Sequence, residues 1–396
     1  MSDHDAPQTS NENTHEGKLS VSRRRLLSSA GLVAAGAALG MSTAANAAKT
    51  VKYQGETITL SDGCNALDTG DSKIKLFPVT PISPDVVGMA LAPDDSIWWC
   101  EAGTGRIGRL GQDGKMSHVQ ILDRPYGIQQ IAMGHDGAFW FTNFNGDKIG
   151  RITLQGEITQ FKTPGPVIDA REEFRKIEPR QGNSWFGAEM MPIASNSPMA
   201  ITKGPDNAMW YTEFMGNRVG RIDMDGSFTR FTVPTPYAGP TAIRLGSDGN
   251  LWVGYWYSPK IARMTPSGKF TEFDIPKVTK EDMIAGLMSA PDGSMWFTQP
   301  RAARIGQMTM DGKLSWLELP ESVGRFPLGT IIGPDNAIWF GEMAGGRVGR
   351  IAESGRGPIT YIQLPKGVMP FGLVFDSKGV LWIGDKIRAQ IVRVEV

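Results

Sequence analysis

Hydrophobic positions along this chain alternate with polar ones in short bursts, and no helical period of 3.6 is sustained. Runs such as Ala-Ile-Trp-Phe-Gly-Glu (337–342) and Ile-Thr-Tyr-Ile-Gln (359–363) are rich in β-branched and aromatic residues, and Gly, Asp, Asn and Pro interrupt them at regular distances. That pattern predicts short half-buried strands joined by tight turns. The bursts recur in seven copies centred on Trp98, Trp140, Trp210, Trp252, Trp296, Trp339 and Trp382, at intervals of 42, 70, 42, 44, 43 and 43 residues. A period in the low forties with strand content predicts an all-β, seven-bladed β-propeller.

Residues 326–365 give the type unit: four strands separated by Pro-Asp-Asn, Met-Ala-Gly-Gly and Glu-Ser-Gly-Arg-Gly turns. The Trp recurs on the second strand, where a large apolar side chain would fill the gap between blades rather than stack on sugars or bases. The seventh repeat ends at Val396 without a fourth strand. Residues 73–81, which begin Lys-Ile-Lys-Leu-Phe-Pro, resemble the outer strands of the other repeats and are expected to complete blade seven and close the ring. The long interval holds an insertion at about 164–196 between blades two and three. Carrying Arg171, Arg180, Trp185 and Phe186, it is expected to form a lid over the ligand face.

Residues 1–48 read as a twin-arginine signal peptide, which implies the twin-arginine export machinery as a partner and a periplasmic or secreted location. Arg23, Arg24 and Arg25 precede an apolar run rich in Ala and Gly, and Ala45-Asn46-Ala47 offers a cleavage site. The run is short for a membrane anchor, and nothing after residue 48 is apolar enough to span a bilayer. The parts are then a signal peptide at 1–48, an N-terminal extension at 49–72 and the propeller at 73–396. Lys+Arg and Asp+Glu both number 41, so there is no basic field to attract nucleic acid. Cys64 and Cys100 are the only cysteines, which excludes CxxC zinc and haem motifs and leaves open one disulfide or two buried thiols.

Candidate chemistry is sparse. Gly103-Thr-Gly105-Arg-Ile-Gly108 matches a dinucleotide fingerprint but opens a strand, not a helix, so it offers phosphate no helix N-terminus. No organic cofactor is indicated. Beyond residue 48 only His118 and His135 remain, mapping to an outer strand and to a turn opposite the channel mouth. The third residue after each Trp is polar: Glu101, Asn143, Glu213, Tyr255, Gln299, Glu342 and Asp385. One reading is a ring of oxygens for Mg²⁺ or Ca²⁺, with Glu101, Asn143, Glu213, Glu342 and Asp385 as ligands. The other is that these residues cap the turns of their own sheets. A second mouth position, after the first-strand Pro, carries Val87, Tyr126, Met199, Thr241, Ala285, Leu328 and Phe371, an apolar rim suited to a small-molecule ligand.

The phrase Trp-[Phe/Tyr]-[Thr/Gly]-Glu, then [Ile/Val]-Gly-Arg-Ile, resembles the virginiamycin B lyase (streptogramin lyase) family over about residues 73–396. The resemblance implies a seven-bladed propeller and, in active members, Mg²⁺-assisted elimination that opens a cyclic depsipeptide at its ester. It places histidines in Pro-His phrases at the starts of the last two blades. Here those phrases read Pro327-Leu328-Gly329 and Pro370-Phe371-Gly372, and Val368 and Met369 stand where a Glu is expected. The base is therefore missing, with Glu342 and Asp385 as substitute candidates. Three readings follow: a family member with its own small-molecule ligand or substrate, a non-catalytic periplasmic binding or scaffold propeller, or a gluconolactonase-like lactonase using Glu101, Asn143, Glu213 and Asp385.

Overall fold

Each Trp-centred repeat folds into an antiparallel meander whose strand order in space follows the sequence. The computed structural model describes residues 49–53, 56–60, 67–68, 73–79, 85–121, 127–165, 196–278, 282–319, 325–355 and 357–396. Blade one comprises Val86–Leu91, Ile97–Glu101, Arg106–Leu110 and Met116–Gln120, and blade six Pro327–Ile332, Ile338–Glu342, Arg347–Ile351 and Ile359–Gln363. Seven such blades make an all-β propeller, and a single helical turn, Ala352–Gly355, replaces the last turn of blade six.

Burial follows position within the blade. Every second strand is buried at all five residues, because neighbouring blades cover both of its faces. Outer strands alternate between partly buried and exposed, the ordinary pattern of a strand with one solvated face. The repeated tryptophans fill the space between blades. Trp98 lies 5.2 Å from the Phe139 ring of blade two, and Trp339 lies 5.5 Å from the Phe375 ring of blade seven.

The rest of the repeated phrase has a physical reason. In blades two and three the indole N–H donates to the turn aspartate, Trp140 to Asp136 at 3.1 Å and Trp210 to Asp206 at 2.8 Å. The third-strand Arg151 and Arg221 close on the same carboxylates at 2.5 Å. The Gly before that arginine makes room for the aromatic after the Trp: a Cβ at Gly220 would stand 2.1 Å from the Tyr211 ring. Thr142 ties blade two to blade three, its Oγ1 accepting from the Gln130 N–H at 3.2 Å and donating to the Met199 carbonyl at 2.8 Å.

Blade seven is completed as expected. Ile74–Pro78 pairs with Gln390–Val394, Ile74 opposite Val394 and Phe77 opposite Ile391. Ile74, Phe77 and Val79 are buried, and the Phe77 ring lies 5.5 Å from that of Trp382. Leu67–Asp68, read from sequence as part of an extension, adds a fifth strand to this sheet. The inner strands of blades seven and one then meet so closely that a Cβ at Gly372 would stand 2.2 Å from the Val87 carbonyl oxygen.

The chain divides after Thr59, and around that division Lys49–Tyr53 and Glu56–Leu60 form a two-stranded sheet of their own. Residues 1–48, with the signal motif, lie outside the described residues, as do Cys64 and the lid side chains Arg171, Arg180, Trp185 and Phe186. Cys100 is a free thiol, fully buried, and burial raises its pKa, which makes it unreactive. Among the described residues no helix is long and apolar enough to cross a membrane.

Candidate functional site

The inner strands of the blades surround a central cavity of about 530 Å³ that opens at the mouth. Six of the seven inner strands begin with a register shift against their neighbour, as between Pro198 and Ile201 or between Pro327 and Thr330. Met199, Thr241, Leu328 and Phe371 line the cavity, together with Ala285. Tyr126 lies outside the described residues, and the pairing of Ile128 with Asn143 puts Gln129 at the rim position of blade two. In sequence, Pro125 drew the alignment three residues off, whereas a constant offset of eleven before each Trp selects Gln129. The wall above the rim is aromatic: Phe144, Phe214, Trp256 and Tyr257 form one cluster with Met199 and Phe326 packed on it.

The polar ring is present in the fold but does not face the cavity. None of Glu101, Asn143, Glu213, Glu342 and Asp385 lines it, and all five are fully buried within their own blades. A buried carboxylate needs a partner, and the strand pairing supplies one five residues on. Glu101 stands opposite Arg106, with its Oε2 accepting from Arg106 Nε at 2.7 Å and Thr104 Oγ1 at 2.8 Å, while His118 Nε2 lies 3.1 Å from its Oε1. Burial pushes the Glu101 carboxyl up, but the His118 and Arg106 contacts outweigh this and hold it below the usual range. Glu342 is chelated by Arg347, whose guanidinium also stacks 3.6 Å from the Tyr361 ring centre.

Glu213 takes Arg230 instead, at 2.6 and 2.8 Å, and burial raises its pKa. Asn143 accepts from the Gly146 N–H at 3.1 Å. Asp385 accepts from the backbone N–H of Met369, Ile387 and Arg388 and from Gln390 Nε2 at 2.8 Å, and burial raises its pKa too. The arrangement is that of hairpin caps, the second of the two readings. As arranged, these side chains do not fit a shared Mg²⁺ or Ca²⁺ centre, and the set Glu101, Asn143, Glu213 and Asp385 is dispersed in the same way. Among the described residues no group of three or more His, Cys, Asp or Glu side chains is gathered for a metal. Nor is either substitute base, Glu342 or Asp385, in contact with the cavity.

This geometry carries a prediction. Glu342→Gln removes the charge that compensates Arg347, whose side chain is only 10 % exposed. The expected loss of stability is about 3 kcal/mol, read as a lower urea midpoint that Mg²⁺ does not restore. An unchanged midpoint would mean that the pair does not hold the hairpin.

His118 remains on the outer strand of blade one, and His135 Nε2 lies 3.1 Å from the Gly204 carbonyl in the next blade's turn. Neither lines the cavity. The insertion leaves and rejoins the ring at one stitched base: Asn196 Nδ2 donates to Thr163 Oγ1 at 2.9 Å and to the Pro164 carbonyl at 3.2 Å. Sequence reasoning missed one cavity residue of consequence, Arg244. The signal was present, because the residue facing each repeated Trp from the inner strand is Ala90, Ala132, Thr202, Met288, Ile331 or Val374 in the other six blades.

A seven-bladed propeller with an apolar cavity at its mouth is the class that the fold and site define. The virginiamycin B lyase family model matches residues 65–195 and 180–396, and the chain belongs to that family. Virginiamycin B lyase from Nocardia farcinica (strain IFM 10152) is 28 % identical over 163 residues, covering 38 % of this chain and 56 % of that protein. The chain thus spans little more than half the length of that curated relative. The crystal structure of virginiamycin B lyase from Staphylococcus aureus superposes with a TM-score of 0.70 at 25 % identity, covering 82 % of this chain and 99 % of its own. A catalytically inactive form of that protein, solved with quinupristin, matches equally well, with a TM-score of 0.70, 25 % identity and the same two coverages of 82 % and 99 %.

Proposed function

We propose that this chain is an exported member of the family that binds a small molecule in the mouth cavity and lacks the family's histidine base. The observation that carries the reading is the cavity lining. Leu328 and Phe371, at the positions where the resemblance expects histidines, are cavity residues, and no carboxylate of the polar ring reaches the space they line. The volume, about 530 Å³, lies within the range of small-molecule sites. Apolar and aromatic surface in the wall favours binding of a small molecule, and proton abstraction requires a base within hydrogen-bond reach.

The test is a thermal-shift screen of aromatic and cyclic depsipeptide compounds against the purified chain and a Leu328→Trp variant that fills the cavity. Compounds are expected to raise the melting temperature of the first and not of the second. If none stabilises the wild-type chain, or if the variant responds equally, the cavity is not the site.

Export is supported by the Arg23-Arg24-Arg25 motif and the apolar run behind it. Replacing the three arginines together with lysine is expected to hold the precursor in the cytoplasm, as read by fractionation and immunoblot. Unimpaired export of that variant would exclude the twin-arginine route.

A further inference from the structure

We infer that the mouth cavity is built for an organic acid, with the guanidinium of Arg244 receiving the carboxylate and the aromatic wall receiving the apolar body. The inference rests on the reading of the cavity as a ligand site. It is carried by the position of Arg244 in the cavity wall and by its contrast with Arg106, Arg230 and Arg347.

Arg106, Arg230 and Arg347 each face a buried glutamate. Arg244 lines the cavity, and the hydrogen bond found for it runs from one terminal nitrogen to the adjacent Ile243 carbonyl, at 2.8 Å. Among the described residues no carboxylate pairs with it. The other charges in the cavity wall cancel, since Lys386 Nζ lies 2.8 Å from Asp85 Oδ1. One positive charge is left over. Burial alone lowers the Arg244 pKa, and nothing around the residue opposes that shift.

Arg244 is partly buried, and a cation held there without a counter-charge costs stability. Six of the seven repeats avoid it with small, hydroxyl-bearing or apolar residues at this position, and only blade four carries a charge there. Breaking the repeat at a point of net cost is what a ligand-binding residue does. The planar guanidinium keeps most of its donors available in the fork geometry that matches a carboxylate. Around it, Phe144, Met199, Trp256, Phe326, Leu328 and Phe371 offer apolar and aromatic surface to the rest of the ligand. A single fixed cation matches a monoanion.

The test uses 2-naphthoate and 2-naphthamide, which share a ring system and differ in charge, titrated calorimetrically into the wild-type chain and into Arg244→Met, Arg244→Lys and Leu328→Trp. Naphthoate is expected to bind the wild-type chain roughly 10–100-fold more tightly than naphthamide, the range for a hydrogen bond to a charged group. Arg244→Met should abolish that preference, Arg244→Lys should keep part of it, and Arg244→Met should melt no lower than the wild type. Equal affinity of the two probes for the wild-type chain overturns the inference without any variant, as does a preference that survives Arg244→Met. If both probes bind equally and Leu328→Trp removes both, the acid specificity fails and the cavity reading stands. If neither binds the wild-type chain, the cavity reading falls and the acid specificity with it.

Discussion

Deleting residues 49–81 is expected to abolish cooperative melting and to send the protein into aggregates. The deletion removes Ile74–Pro78, the strand that pairs with Gln390–Val394. It also removes Ile74, Phe77 and Val79 from the core. Each such side chain contributes about 1.5–3 kcal/mol of burial, and whole domains are stable by only about 5–15 kcal/mol. Blade seven would then present the Gln390–Val394 edge to solvent, a template for pairing with other chains. Trp382 would lose its Phe77 neighbour as well. Calorimetry and size-exclusion chromatography read the outcome. A monomeric deletion variant with the wild-type melting temperature would show that the ring does not depend on this strand.

Incubation of the chain and Mg²⁺ with virginiamycin S or quinupristin is expected to yield no linear product by mass spectrometry. Removal of a proton next to a carbonyl needs a base at about 2.6–3.2 Å, and each such role is worth roughly 10²–10⁴-fold in rate. Leu328 and Phe371 supply none. Glu342 is held by Arg347, and Asp385 is occupied by three backbone N–H groups and Gln390. Protection of bacteria in a bioassay is expected to be absent as well. Robust linearisation would point to Asp85, which lines the cavity in a pair with Lys386, or to one of these buried carboxylates as the base, and Asp85→Asn, Asp385→Asn and Glu342→Gln would identify which.

The ring was legible from sequence because it is written seven times, and repetition averages out local ambiguity. At the polar positions repetition supports two readings, a shared ring or a cap in each blade. Glu101 and Glu342 stand one per blade around an axis, which suggested a shared site, yet Arg106 and Arg347 stand five residues on in the same phrase. Cross-strand pairing turns that spacing into contact, so the acids are consumed locally. Asp385 follows the same rule with Gln390 as its partner. In blade two the Pro125 signal points to Tyr126, outside the described residues, while the fixed distance to Trp140 points to Gln129, which lines the cavity. Arg244 carries no signal in what the repeats share, because the cavity's chemistry lies in what one repeat does not share. The fifth strand, Leu67–Asp68, had no chance of recognition, being two residues long and held by its neighbour rather than by a pattern of its own.

The stitched base of the insertion bears on how this protein can change. Thr163 and Asn196 are joined by their side chains, so the ring is finished whatever the length of chain between them. Doubling the length of a closed loop adds in general only about 0.6 kcal/mol of closure entropy, a small sum beside the stability of the blades. A change in the number of residues between these two anchors therefore carries a small closure cost, and the ends that the blades meet stay where Thr163 and Asn196 hold them.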